Sequence, residues 1–463
     1  MKTLFRALTV AALGLGLLAA AHVNADNDTD TTDDWAMMDE ILAGIELPNI
    51  PDREFVITDF GAEAGGKKDA LPAIKAAIDE AVAAGGGRVI VPTGTFLSQG
   101  PIHLKSKIDL HLAKDSKILF SAKTEHYLPI VKTKWEGTEV MGYSPLVYAA
   151  KVHDVAITGP GMLDGNAKSQ FKKWHKKQDD DIHTLRTMGA TGVPLEQRIF
   201  GEGTYLRPVF VQFMDAERVL LDGYSIINAP FWINHLVYTQ SATVRNLKVD
   251  SHFPNNDGID VESSSNVLVE NNYFRTGDDS VVVKSGRDLD GRTIGIPSTN
   301  VVVRNNDMGG EDGIGLGSEM SGGIKNVFFT DNVLRQGLSA FRFKSNLDRG
   351  GLVENIRVRN FTVESFDTLF WFQMYYPSKL GLNFPSTYRN IVFENIEVES
   401  AGTFLEVHAP AAAPLEDVTF KNIVVKSVET PLILENAKDL HFENVQIGDQ
   451  VVNGNLSWHA KQE

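Results

Sequence analysis

The chain has 463 residues, 43% of them hydrophobic and 22% charged, with a formal charge of −16 and no cysteine. That is enough apolar material for a large core, in one elongated domain or two compact ones. The negative balance opposes a general attraction to nucleic acid or anionic membranes, and the lack of cysteine excludes disulfides and thiolate metal sites.

The N-terminus reads Met1-Lys2-Thr3-Leu4-Phe5-Arg6, followed by an apolar run over residues 7–21 and then Val23-Asn24-Ala25. A basic start, a short apolar stretch and small residues before a cleavage point predict an export signal over residues 1–25. The apolar run falls short of the roughly 20 residues that span a bilayer. The mature protein is therefore expected to be secreted or periplasmic, with no membrane partner once the signal is removed. Residues 26–50 begin as an acidic, Thr-rich stretch and are expected to form a solvated linker or N-terminal extension. A single domain is expected over residues 51–463. Within residues 70–84, Ile74, Ala77, Ile78 and Ala81 have helical spacing before the stop Gly85-Gly86-Gly87. One amphipathic helix ahead of many short strands predicts a cap over the open end of stacked sheets.

The remainder is a repeat array. An apolar-x-Asn-apolar unit recurs as Val244-Arg245-Asn246-Leu247, Val269-Glu270-Asn271-Asn272, Val303-Arg304-Asn305-Asn306, Phe329-Thr330-Asp331-Asn332, Val358-Arg359-Asn360-Phe361, Phe393-Glu394-Asn395-Ile396, Phe420-Lys421-Asn422-Ile423 and Phe442-Glu443-Asn444-Val445. An Asn repeated at each bend tolerates a left-handed backbone and can hydrogen-bond to its copies above and below. The spacing, roughly 22 to 35 residues, is too short for four-stranded propeller blades. The expected fold is all-β, a right-handed parallel β-helix with an N-terminal capping helix.

Four segments align without gaps, starting at Asp257, Asp279, Asp312 and Ser339 and ending at Ser263, Ser285, Ser318 and Ser345. Strand alternation turns Ile259, Val261, Val281, Val283, Ile314, Leu316, Phe341 and Phe343 inward. It turns Asp260, Glu262, Lys284, Arg342 and Lys344 out on one surface. Asp257, Asp279 and Asp312 then share a column at the strand entrance, and Asn256, Asp278 and Glu311 share the column before it. Coils stacked about 4.8 Å apart hold these carboxylates close enough to repel, which raises at least one pKa as a general acid requires. Clustered carboxylates beside a cationic pair point to acid/base chemistry on an anionic polymer.

Asn255-Asn256-Asp257-Gly258, Gly277-Asp278-Asp279, Glu311-Asp312-Gly313 and Arg342-Phe343-Lys344 resemble, in order and on successive coils, the four motifs of the polygalacturonases, glycoside hydrolase family 28. Strings such as Lys284-Ser285-Gly286-Arg287-Asp288, Gly317-Ser318-Glu319-Met320-Ser321-Gly322-Gly323 and Arg349-Gly350-Gly351 are similar to its bacterial exo-acting members. The resemblance implies an inverting hydrolase that cleaves α-linked galacturonan, pectic polysaccharide or oligouronides from a chain end. It implies Asp278 as the acid that protonates the leaving oxygen, and Asp257 and Asp279 as the pair that orients and deprotonates water. Arg342 and Lys344 are expected to hold the uronate carboxylate. Asn255, Lys284, Arg287, Glu311, Asp312 and Arg349 are expected to contact substrate. The sequence departs from the family at Asn256, which stands for Thr, and at Glu311, which stands for His. An acid at that place admits a different uronide or a rhamnogalacturonan-type glycan, and leaves open whether His235 or His252 compensates.

Each residue also has a plainer reading. Asp-Gly at a coil corner is ordinary turn chemistry, Lys284, Arg287 and Arg349 could be solvated, and Trp232 could be core or sugar platform. The insertion over residues 166–207 could be basic decoration or could close one end of a cleft. Competing functions are a polysaccharide lyase on the same solenoid, with Ca²⁺ held by the acidic clusters, and a non-catalytic glycan-binding solenoid. The hydrolase reading needs no cofactor and no metal; its partner is an acidic polysaccharide or oligosaccharide and not nucleic acid. Oligomeric state is not legible.

Overall fold

The computed structural model describes residues 32–376 and 384–459. The expected export signal lies outside the described residues. Strands hydrogen-bond in parallel, coil upon coil, into one continuous 27-stranded stack, a right-handed parallel β-helix. One face runs Asn234, Ile259, Val281, Ile314, Phe341, Phe370, Leu405, Leu432 in direct register. A second runs Val244, Val269, Val303, Phe329, Val358, Phe393, Phe420, Phe442. Inward residues of successive coils thus stack on their own kind, as where Phe343 lies 4.3 Å from Phe372 at 18° and Phe393 lies 5.4 Å from Phe420 at 7°. Burying such ladders drives the fold.

The recurrent bends behave as the repeat predicts. Asn246, Asn271, Asn305, Asp331, Asn360, Asn395, Asn422 and Asn444 all have φ between 50° and 58°. Asn360 donates to Asp331 at 3.0 Å, and Asn444 to Asn422 at 2.9 Å. A second, buried ladder follows one residue later, where Asn272 donates to Asn306 and Asn306 to Asn332, each at 2.9 Å. A polar side chain inside the stack is tolerated because its copies satisfy it.

Both ends are closed. The helix Leu71–Ala83 buries Leu71, Ile74, Ala77, Ile78 and Ala81 against the first coil, and the last strand, Gln450–Trp458, turns back antiparallel on Ala437–Ile447.

The stretch expected as a solvated linker contains the helix Thr32–Ala43. Leu268, Val302 and Phe328 point out of their sheet, and Met38 and Ile41 cover them. Trp35 packs edge-on against Phe328 at 5.6 Å, donates Nε1–H to Glu394 at 2.9 Å and carries the Arg359 guanidinium 3.6 Å above its ring. The acidic run before it conceals an apolar helix face that begins only at Trp35.

Candidate active site

The strands Ile259–Glu262, Val281–Lys284, Asp312–Leu316 and Val333–Lys344 lie side by side, and the turn before each delivers the acidic strings. Two glycines make these turns fit. A Cβ on Gly258 would stand 2.4 Å from the Ser280 carbonyl, and one on Gly277 2.4 Å from that of Phe253. Asn256, fully buried, accepts from Ser251 Oγ at 2.7 Å and Phe253 N at 3.0 Å and donates to the carbonyls of Ala229 and Phe231. The departure at Asn256 is therefore structural, a lock on the turn that carries Asp257.

Carboxylate oxygens of Asp257, Asp278 and Asp279 lie within 4.8 Å of one another. Asp278 is half-buried, whereas Asp257 and Asp279 are 3% and 1% exposed. Asp278 is braced by the amide of Asp279 at 3.0 Å and by Asn255 Nδ2 at 3.4 Å. Lys344 Nζ donates to both oxygens of Asp279, at 2.9 and 2.8 Å, and to Asp312 at 3.2 Å. Arg342 donates to Asp312 at 3.3 Å and to Gln373 at 2.6 Å, stacks 3.7 Å over Trp371, and keeps a buried Nε–H without a partner. Asp312 also accepts from Ser339 Oγ. A group of five carboxylates, Asp257, Asp260, Asp278, Asp279 and Asp312, thus faces the three cations Lys284, Lys344 and Arg342.

That imbalance sets the protonation. Burial, then the Asp278 and Asp260 charges, holds the Asp257 carboxyl well above the usual range. Burial likewise pushes Asp279 up to about 8, against the pull of Lys344. Burial alone would raise Asp312, but Lys344 and Arg342 overcome it and bring it down to about 2. Asp260 is fully buried with neither oxygen hydrogen-bonded, and burial raises it well above the normal value. Coupled acids of this kind retain protons as a group. Three carboxylates so placed can hold a water for attack, and could also hold a divalent cation. The ammonium of Lys344 against Asp279, and that of Lys284 4.0 Å from Asp257, weigh against a cation there.

The other expected contacts are distributed unevenly. Glu311 is exposed beside Asp278, whose carbonyl its amide meets at 3.1 Å, and partial loss of water followed by the Asp278 and Asp312 charges raises its pKa. Lys284 points off the coil but is covered. It donates to Gly317 O at 3.2 Å and Glu319 at 3.1 Å and stands 4.7 Å over Trp232. Arg287 bonds Glu319 at 2.6 Å and the Glu136 carbonyl at 2.9 Å. Arg349, 1% exposed, bonds Asp288 and the Ser318 carbonyl. Trp232 is core, stacked on Phe231 at 5.3 Å. His235 is buried, receiving a hydrogen bond from Gln212 at 3.0 Å and donating to Glu262 at 2.8 Å. His252 is exposed and paired with Asp250 at 2.9 Å. Neither histidine stands at the place of Glu311.

Three residues were not read from the sequence. Arg207, fully buried, donates to Asn255 Oδ1 at 2.5 Å and to the carbonyls of Pro230 and Pro254, so it pins the Asn255 turn; burial lowers its pKa to about 10. Glu319 joins Lys284 to Arg287 and Arg349. Tyr376 lies near Lys344 and Arg342, and burial raises its phenol. Glu319 stands in the Gly317-Ser318-Glu319 string already singled out, without a role assigned to it, whereas Arg207 and Tyr376 carry no local signal and meet their partners only through the stacking of coils.

One end of the groove is walled. The hairpin Val131–Trp135 and Thr138–Gly142 puts Glu136 and Gly137 at its tip, where a Cβ on Gly137 would stand 2.5 Å from Glu319 Cγ. The insertion helix Asp179–Ala190 backs it, with Arg186 bonded to Glu136 at 2.5 Å. Trp135, Val140, Leu185, Phe200, Leu206, Val209, Phe231 and Trp232 form a separate apolar core beneath this wall. The insertion is therefore built in and is not surface decoration.

The sequence profile "Glycosyl hydrolases family 28" matches residues 197–447, and "Rhamnogalacturonase A/epimerase, pectate lyase-like" matches residues 55–278. The fold superposes on a hyperthermoactive exopolygalacturonase from Thermotoga maritima with a TM-score of 0.88 and 38% identity, over 92% of this chain and 99% of that one. An endo-polygalacturonase of Pectobacterium carotovorum subsp. carotovorum is 27% identical over 73% of this chain and 79% of its own. An exo-poly-alpha-D-galacturonosidase of Dickeya chrysanthemi is 28% identical over 66% and 54%. With carboxylates and cations gathered on one face and more than half its length matched, the chain belongs to glycosyl hydrolase family 28 and is a glycoside hydrolase.

Proposed function

We propose that this enzyme hydrolyses α-linked galacturonan or its oligomers from a chain end, by single displacement. The observation that carries the reading is the meeting of Asp257, Asp278 and Asp279 within 4.8 Å beside Lys344 and Arg342. Asp278, the most accessible of the three, protonates the leaving glycosidic oxygen. Asp257 and Asp279 hold the attacking water; the coupled group gives one proton to the leaving oxygen through Asp278 and takes back the one that water loses. Arg342 receives the uronate carboxylate through the spare N–H groups of its terminal nitrogens, and Lys344 adds its positive charge while holding Asp279 and Asp312. Glu311, exposed beside Asp278, contacts the sugar through hydroxyl groups. Lys284, Arg287, Arg349 and Asp312 act from behind, holding the carboxylates and each other in place.

Carboxylates this close fall below the roughly 6.5–9.5 Å typical of inverting enzymes, so inversion rests on family resemblance. The wall built by Glu136 and the insertion helix supports release of single sugars from one end. The apolar run over residues 7–21 supports export, and among the described residues no helix is long and apolar enough to cross a membrane. The relatives' galacturonan activity favours this substrate over a rhamnogalacturonan-type glycan. Incubation with polygalacturonate tests the reading. Free galacturonate without absorbance from an unsaturated product supports it, and an unsaturated product or no release contradicts it.

A further inference from the structure

Behind the catalytic carboxylates, charges alternate in an unbroken line from the insertion to the active site. Arg186 meets Glu136 at 2.5 Å, and the same Glu136 oxygen receives Arg287 at 3.4 Å. Arg287 meets Glu319 at 2.6 Å, Glu319 meets Lys284 at 3.1 Å, and Lys284 stands 4.0 Å from Asp257. Arg349 joins this line at Glu319, 3.5 Å away, and holds Asp288 at its other end. Three guanidiniums and Lys284 thus share Glu136, Glu319 and Asp288 along the wall.

The guanidiniums differ in what they can still do. The Arg349 and Arg287 side chains are 1% and 8% exposed and serve their acids, whereas that of Arg186 is 37% exposed. Only one of its terminal nitrogens is bonded to Glu136, and its buried Nε–H has no partner. Its charge also reaches Tyr376, the residue that lies beside Lys344 and Arg342. A part-exposed guanidinium with a terminal nitrogen to spare, carried by an insertion and bonded to Glu136 at the tip of the wall, suits a planar anion.

We infer that Arg186 is a specificity-determining residue that binds the carboxylate of the uronate lodged at the walled end of the groove, an inference that rests on the galacturonan reading. Arg186 serves the sugar at the closed end, and Arg342 and Lys344 serve the one across the scissile bond from it. A neutral sugar there leaves the Arg186 donors unpaired in a partly desolvated place, so the enzyme discriminates against it.

The test compares the mature wild type with Arg186→Gln and Arg186→Lys on trigalacturonate and on the same trimer with its end carboxyl reduced to an alcohol. In Arg186→Gln the preference for the charged trimer, as a ratio of kcat/KM, falls about tenfold, through KM with little change in kcat; Arg186→Lys recovers part of it. An equal loss on both trimers, or a loss confined to kcat, overturns the inference and leaves Arg186 a structural brace. Calorimetric binding of galacturonate and galactose, with thermal unfolding as a check on folding, separates this inference from the reading beneath it. Galacturonate held about tenfold more weakly by Arg186→Gln, in a protein that turns over no galacturonan, keeps the site and removes the hydrolysis reading. Equal binding by wild type and variant removes the site whatever the turnover.

Discussion

Lys344 places its ammonium 2.8–2.9 Å from both carboxylate oxygens of Asp279, a residue 65 positions earlier in the chain. The pair is buried, and Asp312 takes the remaining reach of the same ammonium at 3.2 Å. Removing the lysine would strand two carboxylates away from water. Lys344→Met should therefore destabilise the fold by about 3–5 kcal/mol as well as abolish turnover. Chemical denaturation checks this; an unchanged midpoint would mean that the site tolerates the loss by taking up protons.

Asp278 differs from its neighbours in being only half-buried and held by its own neighbour's amide and Asn255. Asp278→Asn keeps the bond from the Asp279 amide, gives up the longer one from Asn255 Nδ2, and removes the transferable proton. Its kcat on polygalacturonate should fall by about 10²–10⁴ with KM and unfolding midpoint near those of the wild type.

Much of this arrangement was legible in the sequence. The gapless alignment of the segments starting at Asp257, Asp279, Asp312 and Ser339 places their strands in the register observed, Ile259 to Val281 to Ile314 to Phe341. It was legible because a solenoid converts sequence spacing directly into spatial columns. Burial was not legible. Alternation put Asp260, Glu262 and Lys284 outside the coil, yet all three are buried: Lys134 and His235 meet Glu262, Lys284 lies over Asp260, and Glu319 and Trp232 cover Lys284. Arg207, and the ion pairs of the Glu319 already noted in its motif string, escaped because their partners come from distant turns. The helix Thr32–Ala43 was missed because its acidic start hides the spacing of Trp35, Met38 and Ile41.

The buried acids also dictate how stability depends on pH. For Asp257, Asp260 and Asp279 the folded pKa lies above the unfolded value near 4. Their stabilising contribution is full below that value and is lost as pH rises toward and through about 8, the value for Asp279. Above the range in which the partly and fully buried histidines lose their protons, the unfolding midpoint should fall between pH 7 and pH 8.5 in calorimetry. Asp260→Asn, a neutral isostere, should flatten that dependence and raise the midpoint at pH 8 by about 2 °C. A midpoint that rises with pH would show these groups to be ionised in the fold.

Trp35 ties the N-terminal helix to coils whose opposite face forms the site. Trp35→Ala removes the contacts to Phe328, Glu394 and Arg359 together. It should open the Thr32–Ala43 helix to proteolysis at a cost of about 2–3 kcal/mol, with kcat on polygalacturonate unaltered. Limited proteolysis followed by mass spectrometry reads this out.

The account depends on Asp257 and Asp279 directing water to the face opposite the leaving oxygen that Asp278 protonates. Proton NMR of a freshly mixed sample of enzyme and polygalacturonate tests that most directly, because the first sugar released carries the anomeric configuration set by the attack. The account predicts β-galacturonate appearing first and relaxing to the equilibrium mixture. Initial release of the α-anomer would contradict it.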